Sequence, residues 1–180
     1  DVRIISASAE PVARVWAEPL GLTDNKVMGV AMAHDGDRIT ASLMPCGGDE
    51  ASMPYIEGKR CRVNQDVLGI TCPDAFKPDP EAQRQAFSAG DSDTDVSFLI
   101  DATALRLVIN RNKTELMCNA YDNEDGKWLI NPMFIEPKGQ KTDPYPCSTN
   151  GEILPDGGTG PLKDISGNLI EDQQDTVFGS

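Results

Sequence analysis

The residues best able to do chemistry in this chain are carboxylates. Asp91-Ser92-Asp93-Thr94-Asp95 sets three of them at alternate positions. That spacing lets a short loop wrap a hard cation, so Asp91, Asp93 and Asp95 are candidate calcium ligands, and calcium is the one cofactor the pattern suggests. Asp122-Asn123-Glu124-Asp125-Gly126 forms a second oxygen-rich run. Neither completes a twelve-residue calcium loop of the EF-hand kind, because the first run lacks glycine at position six and the second carries it at position five. A glycosidase-type pair of carboxylates can also be drawn from the 29 acids, but such a pair is defined by its separation in space.

Nucleophilic machinery has little to recruit. A Ser-His-Asp or Cys-His arrangement must use the single histidine, His34, whose neighbours Asp35, Gly36 and Asp37 place it in an exposed turn. No GxSxG elbow accompanies it. Five cysteines, Cys46, Cys61, Cys72, Cys118 and Cys147, are spread along the chain with no CxxC pair, which argues against a local zinc ribbon or thioredoxin-type redox site. An odd, scattered set predicts two disulfides and one spare thiol in an oxidising compartment. Cys61 and Cys72 flank a short segment and suit a local bridge. Cys46 and Cys147 lie in Pro/Gly loops and suit a bridge tying the end of the chain to its body. Cys118, between Leu116 and Ala120, reads as the buried free thiol. Asn112-Lys113-Thr114 is a glycosylation sequon with Asn112 as acceptor, in a segment read as a hairpin turn. Tyr121 and Trp128 flank the Asp125-Gly126 turn and could offer an aromatic row to a sugar, against the commoner role of core packing.

Composition narrows the field. The formal charge is −13 over 180 residues, which argues against nucleic acid and anionic membrane surfaces as partners. The only basic concentration, Lys59-Arg60-Cys61-Arg62, reads as a solvated loop. No apolar run approaches the roughly 18 residues needed to span a bilayer. A chain that opens at Asp1 fits a processed mature protein, or simply a trimmed one.

Thirteen prolines and sixteen glycines divide the chain into short pieces. Segments 2–6, 12–17, 27–33 and 38–43 read as strands, with a tight Asp-Gly hairpin between the last two. Segment 62–71 reads as a weaker strand pair. One short helix is expected near 79–89, capped by Asp79, opened by Pro80 and stopped at Gly90. Segments 96–100, 105–109, 115–121 and 128–135 then read as an antiparallel meander, with Leu105, Leu107 and Ile109 alternating with Arg106 and Val108 and Pro132 demoting the last run to an edge strand or a broken one. Beyond Pro137 the chain is rich in proline, glycine and acid, with apolar beads at Ile153-Leu154, Ile165, Leu169-Ile170 and Val177-Phe178.

The expected fold is therefore all-β, an antiparallel β-sandwich or meander with that one short helix and a long irregular C-terminal arm. The expected division is a globular domain over 1–137 and an acidic arm over 138–180, packed on the domain or on a neighbour. The leading functional reading is a secreted, non-catalytic binding or interaction protein, an effector, inhibitor or surface module, with a protein or glycan partner. Second comes a structural subunit of an extracellular filament or assembly, self-associating by strand exchange. Third comes a carboxylate-dependent glycan hydrolase.

Overall fold

The computed structural model describes every residue except 45, 47–52, 72, 79–83, 155 and 180. The chain forms two compact units, Asp1–Gln83 and Arg84–Ser180. Neither is a β-sandwich: the fold is mixed α/β, with small sheets of two or three strands, and the all-β expectation is corrected.

In the first unit, β1 (Ile4–Ala9) runs into helix α1 (Glu10–Ala17) and returns as β2 (Val27–Val30), parallel to β1. The segment read as a second strand is thus α1: Ala13 and Ala17 recur at a four-residue interval and are buried with Val27, the helical period that Val12 and Val15 obscure. Gly29 on β2 is required by proximity, since a Cβ there would lie 2.5 Å from the Cα of Glu10. Its N–H donates to Glu10 Oε2 at 3.1 Å. Strands β3 (Met32–Asp35) and β4 (Arg38–Leu43) form the expected antiparallel hairpin, closed by Gly36 and Asp37, with Gly36 at φ 58°.

Helix α2 (Glu57–Leu68) replaces the expected strand pair over 62–71 and ends at Gly69, φ 71°. Its basic run is no solvated loop: Lys59 and Arg62 are each only 6% exposed, and Arg62 pairs with Asp66 at 2.8 Å. The side-chain amide of Asn64 donates to the carbonyls of Ala75 and Lys77 at 3.0 and 2.9 Å, tying the helix to the following turn. Cys61 is bonded to Cys46, not to Cys72, which lies outside the described residues.

The second unit is built on a three-stranded parallel sheet, β5 (Phe87–Gly90), β6 (Leu105–Asn110) and β7 (Trp128–Pro132), in that spatial order. Helices α3 (Val96–Ile100) and α4 (Thr114–Asp122) form the two crossovers. The antiparallel meander therefore had two of its four segments in the wrong state. Leu116, Cys118 and Ala120 alternate like a strand, but Met117 between them is equally buried. A helix enclosed on most sides carries no clean period. The expected helix near 79–89 has its first part outside the described residues, and its second part is β5. Pairing with β6 holds Phe87–Gly90 extended.

On β6 the buried face carries polar residues as well as apolar ones. Arg106, Val108 and Asn110 are at most 5% exposed, while Leu105 is 37% exposed. The arm over 138–180 runs through α5 (Cys147–Asn150) and the short pair β8 (Glu152–Ile153) and β9 (Thr159–Gly160). Tyr145, Leu162, Ile170 and Asp175 of this arm are buried within the unit. Cys147 is bonded to Cys118 of α4, so neither the expected free thiol nor the expected Cys46–Cys147 bridge forms.

Candidate functional site

In open parallel sheets the backbone amides and loop side chains that can meet a ligand gather outside the carboxyl ends of the strands. At that edge of the β5–β6–β7 sheet lie two loops, 91–95 after β5 and 111–113 after β6.

The first loop is a tightly built turn. Ser92 caps a 3-10 turn over Asp93–Asp95, its Oγ accepting from the Thr94 amide at 3.4 Å. Asp95 reaches back, and its Oδ2 accepts from the amides of Asp91 and Ser92 at 2.9 and 3.0 Å. Asp95 is only 4% exposed. Gly90 has to be glycine, because a Cβ there would sit 2.7 Å from the Cβ of Asp95. Gly90→Ala is therefore expected to cost about 1–3 kcal/mol through this overpacking. Urea denaturation measures it, and an unchanged midpoint would show that Asp95 is free to move aside.

The other two aspartates point to different partners. Asp93 Oδ1 accepts from the Leu116 amide in the first turn of α4 at 2.9 Å. Burial pushes the Asp93 carboxyl above its ordinary value of 3.8, against the opposing pull of that hydrogen bond. The folded chain thus holds a proton on Asp93 more readily than the unfolded chain does. Stability contributed here falls as pH rises from about 3.8 through the raised folded value, and the penalty is complete above it. Asp93→Asn removes this titration while keeping an acceptor for Leu116. The wild-type chain is expected to lose stability relative to Asp93→Asn across that window, read from urea midpoints at successive pH values; a gain would reverse the assignment.

Asp91 Oδ2 accepts from Arg111 Nη1 at 2.7 Å, with both side chains more than two-fifths exposed. Asp91, Asp93 and Asp95 thus serve three different partners. Among the described residues no three His, Cys, Asp or Glu side chains gather as a metal-holding group.

The second loop is shaped from behind. Asn110, at the end of β6, accepts on Oδ1 from the Asn112 amide at 2.9 Å, and Asn112 holds φ 58°. Tyr145 of the arm donates to Asn112 Oδ1 at 3.1 Å, with Asn110 Oδ1 at 3.4 Å. Asn110 Nδ2 donates to Asp175 Oδ1 at 3.0 Å and to the Val177 carbonyl at 2.7 Å. Asp175, fully buried, also accepts from Tyr121 Oη at 2.6 Å and from the Lys141 amide at 2.8 Å. Burial raises both phenols above the ordinary range, most strongly that of Tyr145, and the Asp175 carboxylate adds to it. The sequon residue Asn112 accordingly stands in a crossover loop, half-buried, rather than in a hairpin turn.

A separate acidic depression lies in the same unit around Asp122, Glu124, Asp125, Asp164 and Trp128. Burial and the nearby Asp164 and Glu124 charges raise the Asp122 carboxyl. Its floor is occupied: Arg106 grips Asp125 through both carboxylate oxygens and stacks 5.1 Å from the Trp128 ring. Tyr121 faces Tyr145 with ring centroids 5.9 Å apart, while the Trp128 ring lies against Arg106. His34 is exposed on β3.

Arg111, Tyr145 and Asp175 were not singled out from the sequence. The polar triplet Asn110-Arg111-Asn112, directly after an apolar strand, was the available signal, and the meander reading turned it into a hairpin. Compared with known proteins, the chain matches no protein family, no curated protein and no solved structure.

Proposed function

We propose a carboxylate-dependent hydrolase whose small polar substrate sits outside the carboxyl ends of β5 and β6. The observation that carries this reading is the placement of the acidic turn 91–95, directly after the first strand of a parallel sheet and joined to the next loop by Asp91–Arg111. The chemistry is divided by environment. Asp91 is the exposed carboxylate, suited to act as base or nucleophile. Asp93, with its raised affinity for a proton, suits the acid role. Arg111 supplies positive charge where negative charge would develop on a substrate. Two disulfides, Cys46–Cys61 and Cys118–Cys147, support an oxidising compartment such as the extracellular space. No described helix is long and apolar enough to cross a membrane.

A panel of p-nitrophenyl glycosides, carboxylic esters and phosphate esters tests the proposal. Turnover of one class is expected, falling by about 10²-fold or more in Asp91→Asn, with the circular dichroism spectrum unchanged. Absence of turnover across the panel, or full turnover by Asp91→Asn, would overturn it. A second reading, a non-catalytic binding module using the same edge, is favoured by one observation: all three aspartates already hold partners within the chain. Ligand-induced stabilisation without turnover would distinguish it.

A further inference from the structure

The loop after β6 is held from the far end of the chain. Its residue Asn112 keeps a left-handed backbone, φ 58°. Asn tolerates that region better than most residues, but such a conformation persists only where the surroundings over-determine it. Here they do so twice: Asn110 Oδ1 receives the Asn112 amide, and the Tyr145 hydroxyl holds the Asn112 side chain. Asn110 is itself fixed by Asp175 and by the Val177 carbonyl. Tyr121 ties Asp175 to α4 and receives the amides of Thr176 and Val177 at 3.1 and 3.0 Å.

We infer that Tyr145 and Asp175 are positioning residues, through which the C-terminal arm sets the backbone of the 110–112 loop and hence the place of Arg111 at the candidate site. The inference rests on the site proposed above, since it assigns the arm a task at that edge. The arm lies behind the loop and touches it through buried groups: Tyr145, Asp175 and Asn110 are each at most 1% exposed. Arg111, between the two asparagines, is exposed and pairs with Asp91. Loss of the Tyr145 hydroxyl frees Asn112 to leave the left-handed region, and Arg111 moves with the backbone that carries it.

Hydrogen exchange of the full chain tests this without needing a substrate. In Tyr145→Phe, which keeps the ring and removes only the hydroxyl, amides 111–116 should exchange about tenfold faster, the factor one buried hydrogen bond is worth. The amides of β6 should keep their protection. Asp175→Asn should act on the same amides; if that variant does not fold, Tyr145→Phe alone decides. Unchanged exchange at 111–116, or a rise spread evenly over the unit, would overturn the inference. Where a chromogenic substrate is turned over, kcat/KM should fall as the local exchange rises. Lack of turnover by the parent chain counts against the hydrolase reading, and the exchange result still stands.

Discussion

Arg106→Leu is expected to lower folding stability by about 3–5 kcal/mol, because it removes the bidentate partner of a mostly buried carboxylate, leaving only Lys127 at 3.8 Å, and removes the donor from several buried carbonyls at once. Arg106 is 5% exposed in the middle of the parallel sheet. Its Nη1 donates to both oxygens of Asp125, at 3.0 and 2.8 Å. The remaining guanidinium nitrogens donate to the carbonyls of Leu99, Ile100 and Ala102. Those carbonyls close α3 and the turn into β6, so one side chain links the first crossover, the central strand and the turn before β7. The Trp128 ring shields it from one side. Urea denaturation measures the effect. Replacing both Arg106 and Asp125 by leucine should recover part of the loss, since the one charge then losing its partner, Lys127, is one-third exposed to water. A loss below about 1 kcal/mol for Arg106→Leu would place this pair among ordinary surface pairs.

The second large effect is expected from the Cys118–Cys147 disulfide. It joins α4 to α5 across a sequence separation of 29. Restricting the unfolded chain over a loop of that length contributes about 3–4 kcal/mol in the chain-entropy description. The Cys46–Cys61 bond spans 15 residues and contributes about 3 kcal/mol on the same basis. Removing the first bond with paired Cys118→Ala and Cys147→Ala replacements should lower the melting temperature by more than removing the second. Both sulfurs of the first bond are fully buried, so reduction should require prior opening and should be slow in the folded chain. Rapid reduction by mild thiol, with an unchanged melting temperature afterwards, would show that the bond neither shields nor stabilises the arm.

Some elements could be read directly from residues. The hairpin between β3 and β4 follows from Gly36, whose positive φ the turn needs. Strands β6 and β7 follow from runs of β-branched and aromatic residues, and Pro132 does fall on an edge strand. The run 91–95 was singled out for its alternating acids, and Asp91 and Asp93 do lie in the loop at the carboxyl edge of the sheet. The reason for the pattern was different, however: Asp95 folds under Gly90 to cap the turn. The helices α2, α3 and α4 were misread as strands because their apolar residues satisfy a short alternating pattern as well as a helical one. Arg62 and Lys59 broke the reading of α2 further, as buried cations resemble exposed ones in a sequence.

The sequence by itself determined the acidity of the chain, the positions of most strands and the capacity for two disulfides. Tertiary structure decided how the strands pair, which face of β6 is buried, which cysteines meet and which polar groups share Asp175. The division has a physical cause. Turn geometry and β-propensity act between residues a few positions apart, so they are written locally. Parallel pairing, the burial of Arg106 with Asp125, and the reach of Asp175 to Asn110 across 65 positions depend on groups far apart in sequence satisfying each other's hydrogen bonds. No local pattern records that match before the chain has folded.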